Sequence, residues 1–215
     1  MKEVQRQSMM FQRKMLAILC LLLAPSCVLF GLFGLQQNLP GWYLSISATY
    51  YANSKLFMIG LLYAIGVFFA AYRGYDIKDR ICSIVESVTS FGIIVFPCVS
   101  CDVPDRVGLF CLPVNISNTL HCVCASVLFV AFAFNVLVLF RLSEPEPTEK
   151  KKLRNTIYLI CGIIIIVFMV LQAISVMFTF LPQWFPTTWL NEFFMLEAFG
   201  FTYLVKSEAI DKLND

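Results

Sequence analysis

One polar and aromatic segment separates the first two apolar runs of the chain: Pro40-Gly-Trp-Tyr-Leu-Ser-Ile-Ser-Ala-Thr-Tyr-Tyr51. Its hydroxyl and aromatic side chains suit the boundary between lipid and water, whereas the runs on either side suit hydrocarbon. We call Pro40–Tyr51 the outer segment, because we predict that it covers the outer side of a small bundle of membrane helices. Two polar residues from later in the chain, His121 and Glu192, are predicted to join it there.

The composition is that of an integral membrane protein. Of the 215 residues, 59% are hydrophobic and 14% are charged, and the mean hydropathy is +0.78. A soluble domain of this size cannot bury so much apolar surface. The net charge is only +2 and the basic residues flank the apolar runs, so nucleic-acid binding is excluded. The first apolar run lacks a small-residue cleavage site, so we expect it to remain as a helix.

Six apolar runs are each long enough, at about 1.5 Å per residue, to cross a hydrocarbon layer of roughly 30 Å. None of them alternates between apolar and polar residues as a membrane β-strand would. Helices are then the only structures that satisfy the backbone hydrogen bonds in lipid. We therefore predict an all-α fold, in which one domain, residues 1–215, forms a polytopic bundle of six transmembrane helices. The predicted spans are 15–35, 56–72, 81–99, 120–140, 157–181 and 185–205.

The positions of the basic residues predict the orientation. The first, third and fifth loops contain only Lys55 and Arg106, whereas the other basic residues lie at the N-terminus, in the second and fourth loops and in the tail. The positive-inside rule therefore predicts that both termini are cytoplasmic. The fourth loop, Ser143–Lys152, is predicted to be a solvated hinge with a polybasic run. That run either determines topology alone or also attracts anionic lipid headgroups.

The cysteines leave three possibilities open. Five of the nine lie in or beside the third loop, which the charge rule places outside. An exported loop favours disulfides, free thiols are the second possibility, and a zinc or copper site built with His121 is the third. Because His121 is the only histidine, we predict no metal and no cofactor. The disulfide candidates are Cys98, Cys101, Cys111, Cys122 and Cys124.

Charged groups at membrane depth are costly, so each one is a functional candidate. Glu86 lies about one turn into the third predicted span, and we expect it to reach the interface or to pair with Arg80 or Arg73. Glu192 and Glu197 are five residues apart in the sixth span. That spacing puts them roughly 140° apart around a helix, so they cannot form a catalytic carboxylate pair on one face.

His121 opens the fourth span at a depth comparable with Glu192 and the outer segment. If the fourth and sixth helices are neighbours, the two side chains can form an imidazole–carboxylate pair that serves proton transfer. The alternative is that His121 only orients the outer end of its helix. The residues predicted to line this pocket are Ser45, Ser47, Thr49, Tyr50, His121, Glu192 and Glu197.

Three stretches resemble the Frag1/DRAM/Sfk1 group of six-helix membrane proteins. The outer segment, followed by Leu56-Phe57 and Ile65-Gly-Val-Phe-Phe69, is similar to the group's first extracytoplasmic motif and the helix after it. The stretch His121-Cys-Val-Cys-Ala-Ser-Val-Leu-Phe129 is similar to the group's histidine-containing helix. The stretch Glu197-Ala-Phe-Gly-Phe-Thr-Tyr203 is similar to the closing helix of that group. The resemblance implies lipid handling or membrane scaffolding, as in lipid-anchor remodelling, recruitment of phosphoinositide enzymes and lysosomal control of autophagy.

The chain departs from that group in the outer segment, where Ala48-Thr49-Tyr50 occupies the place of an Asp-Thr-Gly run. It also resembles uncharacterised bacterial six-helix proteins over most of its length. That likeness rests on Ser45–Tyr51, Arg154–Gly162 and Ala198–Lys206, and it implies no particular activity.

We expect a non-enzymatic, multi-pass membrane protein that binds or organises lipids or membrane partners through an outer-leaflet polar pocket. One alternative is an intramembrane lipid-modifying enzyme that uses His121 and Glu192, although a Gly-x-Ser-x-Gly motif is absent from the sequence. A second alternative is a small-solute or ion conduit lined by Glu86 and Glu197. The expected partners are membrane lipids or other membrane proteins, and not nucleic acid.

Overall fold

The computed structural model describes residues 2–33, 38–142, 148–178 and 185–214, and these residues are predominantly helical. Six α-helices lie within them, and each one overlaps a predicted apolar segment. A π-helical segment, Asn135–Leu139, continues the fourth helix, and two 3₁₀ turns cover Ser47–Tyr51 and Asp211–Leu213. The α-helices are α1 (Lys2–Leu32), α2 (Lys55–Ala71), α3 (Ile77–Val95), α4 (Val114–Phe134), α5 (Glu149–Met177) and α6 (Thr187–Lys206).

Three helical stretches are long and apolar enough to cross a membrane: Glu3–Leu32, Val114–Leu139 and Glu149–Met177. α2 is apolar but has only 17 residues. α3 and α6 contain charged and polar residues within their length, which lowers their hydropathy. The prediction of an all-helical protein is therefore confirmed, and three of its helices could span a membrane. The bundle of six transmembrane helices and the orientation of the termini stay predictions.

Five of the six helices begin earlier than predicted, and the difference is largest for α1 and α5. α1 starts at Lys2 because its polar first turns are good helix formers and continue the apolar helix without a break. α5 starts at Glu149, where the Thr148 hydroxyl accepts a hydrogen bond from the Lys151 amide and caps the helix. The predicted span ends at 35 and 181 lie outside the described residues, as does the part of the hinge at 143–147.

The helices form a closed ring in sequence order. Each helix packs against the next one, and α6 returns to pack against α1. The Arg6 guanidinium lies 2.9 Å from the Glu208 carboxylate, which places the beginning of α1 beside the segment after α6. We call this side the terminal end and the side that carries the outer segment the cap end.

Aromatic rings fill the middle of the ring of helices. Phe132 of α4 stacks on Phe199 of α6 with 3.5 Å between ring centroids, although α4 and α6 are not neighbours in the ring. Phe69 of α2 lies 6.1 Å from each of these two rings. Side chains from opposite helices therefore meet at the centre, which leaves little room for a wide pore there.

The third loop contains a feature that the apolar pattern did not predict. Strands β1 (Arg106–Val107) and β2 (Leu112–Pro113) pair antiparallel just before α4. Gly108 follows β1 with φ +77°, and a Cβ there would lie 2.7 Å from the Val95 carbonyl oxygen. Glycine is therefore required at the point where this hairpin packs on the end of α3.

Candidate functional site

The cap end brings several of the predicted site residues together. The Glu192 carboxylate of α6 accepts a hydrogen bond from the Ile46 amide at 2.6 Å, and it also bonds the amide and hydroxyl of Ser47. Ser45 Oγ accepts from the Ala48 amide at 2.8 Å, and Thr49 Oγ1 donates to the Ile46 carbonyl at 2.5 Å. A carboxylate at the start of a helical turn satisfies its free amides and complements its dipole. Glu192 therefore holds the outer segment on α6.

Tyr50 lies beside this arrangement rather than within it. Its ring packs edge-on against Tyr51, and the Lys55 ammonium lies 4.1 Å from its centroid. The Tyr51 hydroxyl donates to the Cys98 carbonyl at 2.8 Å. These contacts join the outer segment to the start of α2 and to the third loop.

His121 is buried and bonded to a different helix. Its Nδ1 lies 2.8 Å from the Phe96 carbonyl oxygen, and the Ile93 carbonyl is a second partner. Both carbonyls belong to the end of α3, where backbone acceptors lack partners within the helix. None of the hydrogen bonds or ion pairs in the described part of the chain joins His121 to Glu192. The structural alternative accounts for these contacts of His121, and a joint role in proton transfer stays a prediction.

The cysteines are free thiols in the structure. Cys101, Cys111 and Cys122 are exposed, whereas Cys98 is buried and Cys124 is half-buried. The described residues contain no group of three or more histidine, cysteine or acidic side chains arranged to hold a metal ion. Disulfide formation in the third loop stays a prediction.

The side chain of Glu86 does not lie where the sequence predicts it. It is 0% exposed, its Oε1 accepts from Asn135 Nδ2 at 3.0 Å, and the Cys82 thiol lies 3.7 Å from the same oxygen. Arg80 instead donates to the carbonyls of Ala70 and Tyr72. The prediction that Glu86 reaches the interface or pairs with a nearby arginine is therefore wrong, because α3 turns this side chain into the centre of the ring.

Glu197 is half-buried in α6, and its Oε1 is buried without a hydrogen-bond partner among the described residues. The Cys20 thiol of α1 lies within electrostatic range of both Glu197 and Glu86. Glu197 therefore lies away from the cap contacts of Glu192, as the spacing of the two residues on one helix predicts.

The terminal end holds a buried cation that the sequence did not single out. Arg13 is 1% exposed, and its Nε and Nη2 both donate to the Tyr72 hydroxyl, at 3.0 and 2.8 Å. Its Nη1 donates to the Tyr75 hydroxyl at 3.1 Å and to the Lys206 carbonyl at 3.4 Å. No carboxylate lies within ion-pair distance of Arg13 in the part of the chain that the structure describes. A buried guanidinium is thus held by neutral groups alone.

Lys206 lies directly beside Arg13, one residue beyond the predicted span 185–205. Its ammonium is 5.1 Å from the Phe140 ring centroid and 5.8 Å from that of Tyr75, and it donates to the Phe140 carbonyl at 3.5 Å. Burial and the neighbouring cations Arg13 and Lys151 lower the pKa of Lys206 to about 7, and the negative charge of Asp79 offsets this only in part. We call Arg13, Lys151, Arg154 and Lys206 the cation cluster.

Comparisons with protein-family models, curated proteins and solved structures found no match to this chain. The resemblance to the Frag1/DRAM/Sfk1 group therefore stays a prediction. A function for the chain has to be inferred from its own contacts.

The sequence did contain a signal for Arg13. Apart from Leu19, the buried residues of α1 recur at helical spacing, and Arg13 occupies the first position of that series. Extending the apolar face of α1 by one turn places Arg13 inside the protein. The buried series is Arg13, Leu16, Ala17, Cys20, Leu23, Ala24 and Cys27.

Proposed function

We propose that this chain is a multi-pass membrane protein that binds the headgroups of anionic phospholipids at its terminal end, without catalysis. The observation that carries the proposal is the buried guanidinium of Arg13, which has only neutral hydrogen-bond partners among the described residues. Burial of a charge costs several kcal/mol unless an opposite charge compensates it. A bound phosphate would supply that opposite charge.

The neighbours of Arg13 give a phosphate a route to the cluster. Tyr75 is 65% exposed, and its hydroxyl accepts a hydrogen bond from Arg13. A hydroxyl that accepts one hydrogen bond still has its own proton to donate, so Tyr75 can bond a phosphate oxygen. Lys206 is half-buried beside it and adds an ammonium donor. The headgroup would contact Tyr75 and Lys206, with the positive field of Arg13 behind them.

The predicted orientation agrees with this location. The positive-inside rule assigns the terminal end to the cytoplasm, and cytoplasmic leaflets are rich in anionic lipids. Arg154 and Lys151 of α5 add positive charge at the same level. The polybasic start of α5 would then contribute to lipid binding as well as to topology.

The contacts at the cap end favour binding over catalysis. A lipid-modifying enzyme of the predicted type needs His121 and Glu192 to act together near a free hydroxyl. Glu192 and the hydroxyls of Ser45 and Thr49 bond the backbone of the outer segment, and His121 bonds the end of α3. We therefore place the lipid site at the terminal end rather than in the outer-leaflet pocket.

Native mass spectrometry of the purified protein, titrated with phosphatidylglycerol or phosphatidylcholine, tests the proposal. We expect preferential binding of phosphatidylglycerol, weakened about tenfold or more in Lys206→Gln, because a hydrogen bond to a charged group contributes about 1.5–3 kcal/mol. Lys14→Gln is the matched control, since Lys14 is exposed on α1 and lies next to Arg13 in sequence. Equal affinity for the two lipids, or equal losses in the two variants, would contradict the proposal.

Arg13→Gln is the second variant, and its folding is checked by thermal unfolding before binding is measured. If this variant does not fold, Lys206→Gln and Tyr75→Phe still test the site, because both residues are only partly buried or exposed. Inorganic phosphate is titrated in parallel. Competition by phosphate indicates that the headgroup phosphate is recognised, whereas the acyl chains account for any excess affinity of the lipid.

A further inference from the structure

Glu86 is the buried charged group that the proposed function does not use. One of its oxygens accepts hydrogen bonds from Asn135 and Cys82, but Oε2 is buried without a partner among the described residues. A fully buried carboxyl oxygen without a donor is costly, and such groups in native proteins need an explanation. Within a membrane protein they mark ion or proton sites by default.

The face of α3 that carries Glu86 is polar, although it points into the core. Its buried residues include serines one turn before and one turn after Glu86, where an ordinary membrane helix has apolar side chains. Ser90 Oγ donates to the Glu86 carbonyl at 2.7 Å, and Ser83 Oγ donates to the Tyr72 carbonyl at 3.1 Å. Each hydroxyl keeps acceptor capacity, so this face can accept hydrogen bonds inside the protein.

The groups that face Glu86 carry no positive charge. Asn135 of the π-helical segment and the Cys82 thiol contact it directly, and Tyr203 of α6, Cys20 of α1 and Asp79 of α3 lie within electrostatic range. Arg80, the cation closest in sequence, bonds the end of α2 instead. An ionised carboxylate in these surroundings would lack a counter-charge, so the neutral acid is favoured.

Polar side chains extend from Glu86 toward the terminal end, and hydrogen bonds connect them as far as Tyr203. Asn135 Nδ2 bridges Glu86 and the Tyr203 hydroxyl, at 3.0 and 3.3 Å. The Tyr203 ring lies edge-on to Tyr72 with 6.3 Å between centroids, and the Tyr72 hydroxyl is bonded by Arg13. The nearest fixed cation in this direction is therefore Arg13, which would stabilise a transient negative charge on Glu86 or Tyr203.

Asn135 occupies a special backbone position. It is the first residue of the π-helical segment, and its carbonyl accepts from the Phe140 amide at 2.9 Å, five residues later. Single π-helical turns inside α-helices occur often at functional sites, because they reposition side chains. Here the π turn directs the Asn135 amide at Glu86 and Tyr203.

We propose that Glu86 is an intramembrane proton-binding site that holds its proton at rest and exchanges it with water at the terminal end. On release, the carboxyl O–H bond breaks, the proton passes to water at that end, and the carboxylate keeps the Asn135 amide as donor. Reprotonation reverses these events. The proposal goes beyond lipid binding. The proton site itself consists of Glu86, Asn135 and Tyr203, which the lipid proposal does not use, and the two proposals share only Arg13 at the terminal end.

Infrared spectroscopy of the protein in lipid tests the site directly. We expect a carboxylic-acid C=O band near neutral pH that is absent from Glu86→Gln and retained in the control Glu149→Gln, since Glu149 is exposed. The amide of glutamine has the shape of the neutral acid, so this variant should fold. If Glu86→Gln removes only a carboxylate band, Glu86 is ionised at rest and the proposal is overturned.

Transfer of the protein into heavy water tests whether the Glu86 proton exchanges with solvent. The Glu86 band should shift as deuterium replaces the proton, and Tyr203→Phe should slow that shift severalfold. Tyr158→Phe is the matched control, because Tyr158 is also buried but Asn135 bonds Tyr203 instead. A Glu86 band that never shifts overturns the proposal. An equal rate of exchange in Tyr203→Phe and the wild type also overturns it, because the proton then does not leave by way of Tyr203 and the terminal end.

Discussion

At the scale of single residues, Arg13 and Glu86 are ionisable groups of opposite charge, and burial makes the charged form of each one costly. Both are fully buried, and neither has an ion-pair partner in the described residues. Arg13 keeps its charge at any physiological pH, so it requires neutral hydrogen-bond acceptors or an external anion. A carboxyl group can instead accept a proton. We therefore assign an anionic ligand to the first and a proton to the second.

We expect Lys206 to make lipid binding at the proposed site dependent on pH. Its pKa is lowered from 10.5 to about 7, so the ammonium is charged below that pH and loses its proton above it. The affinity for phosphatidylglycerol should therefore fall as the pH rises through about 7. In Lys206→Arg the dependence should disappear, because arginine stays charged. Dissociation constants measured between about pH 6 and pH 9 check this, and an unchanged pH profile in Lys206→Arg would exclude Lys206 as the titrating group.

Glu192 should matter for stability through the hydrogen bonds that it accepts. Glu192→Ala leaves the amides of Ile46 and Ser47 without their acceptor and should cost about 1–3 kcal/mol of unfolding free energy. Glu192→Gln retains an acceptor oxygen and should cost less. Denaturant unfolding in detergent micelles measures both variants. Equal stability of Glu192→Ala and the wild type would show that the carboxylate does not hold the outer segment.

At the scale of elements, the π-helical segment determines how α5 packs. A Cβ on Gly162 of α5 would lie 2.2 Å from Leu137 Cδ2 and 2.4 Å from its Cγ. Leu137 belongs to the π-helical segment, so this small residue allows α5 to approach it closely. Close approach at small residues is the usual mode of helix packing in membranes.

Gly162→Ala should therefore destabilise the protein by about 1–3 kcal/mol, because Leu137 must leave its position. Gly60→Ala in α2 is the control, since nothing lies within 4 Å of a Cβ at that position. That substitution should be neutral or stabilise the helix by about 0.5–1 kcal/mol. Thermal unfolding of the two variants side by side measures the difference, and equal effects would contradict the packing described for α5.

The sequence predicted the helices well, because the hydropathy of a segment depends only on residues that are close together in the sequence. The proximity of Glu192 to the outer segment was also predictable, since both lie near the ends of apolar runs on the same side. The partners of His121 were not predictable, because backbone carbonyls such as that of Phe96 carry no sequence signature. The charge rule counts Arg13 only as a topology signal, because that rule takes no account of the helix face that a residue occupies. The inward orientation of Glu86 depends on how the six helices pack into a ring, and the sequence of one helix does not show that packing.

At the scale of the whole molecule, the polar groups lie in three layers. The cap end holds Glu192 with the outer segment, the centre holds Glu86, and the terminal end holds the cation cluster. Aromatic rings around Phe132 and Phe199 fill the space at the centre. The arrangement favours local binding sites over a continuous open channel, and we propose a separate role for each layer.

The predicted orientation is tested by labelling intact cells that produce the protein. Cys101 is exposed in the third loop, so a membrane-impermeant maleimide should label it from outside. Lys152 is exposed at the start of α5, and an impermeant amine reagent should label it only after permeabilisation. Peptide mapping identifies the labelled residues. Labelling of both residues in intact cells would contradict the assignment of the terminal end to the cytoplasm.

The central claim is that an anionic headgroup binds at the terminal end. The most direct measurement is photo-crosslinking with a phosphatidylglycerol analogue that carries a reactive group on its headgroup, followed by peptide mapping. We expect adducts on the peptides that contain Tyr75 and Lys206, competed by unlabelled phosphatidylglycerol and not by phosphatidylcholine. Adducts confined to the outer segment, or competed equally by both lipids, would contradict the claim.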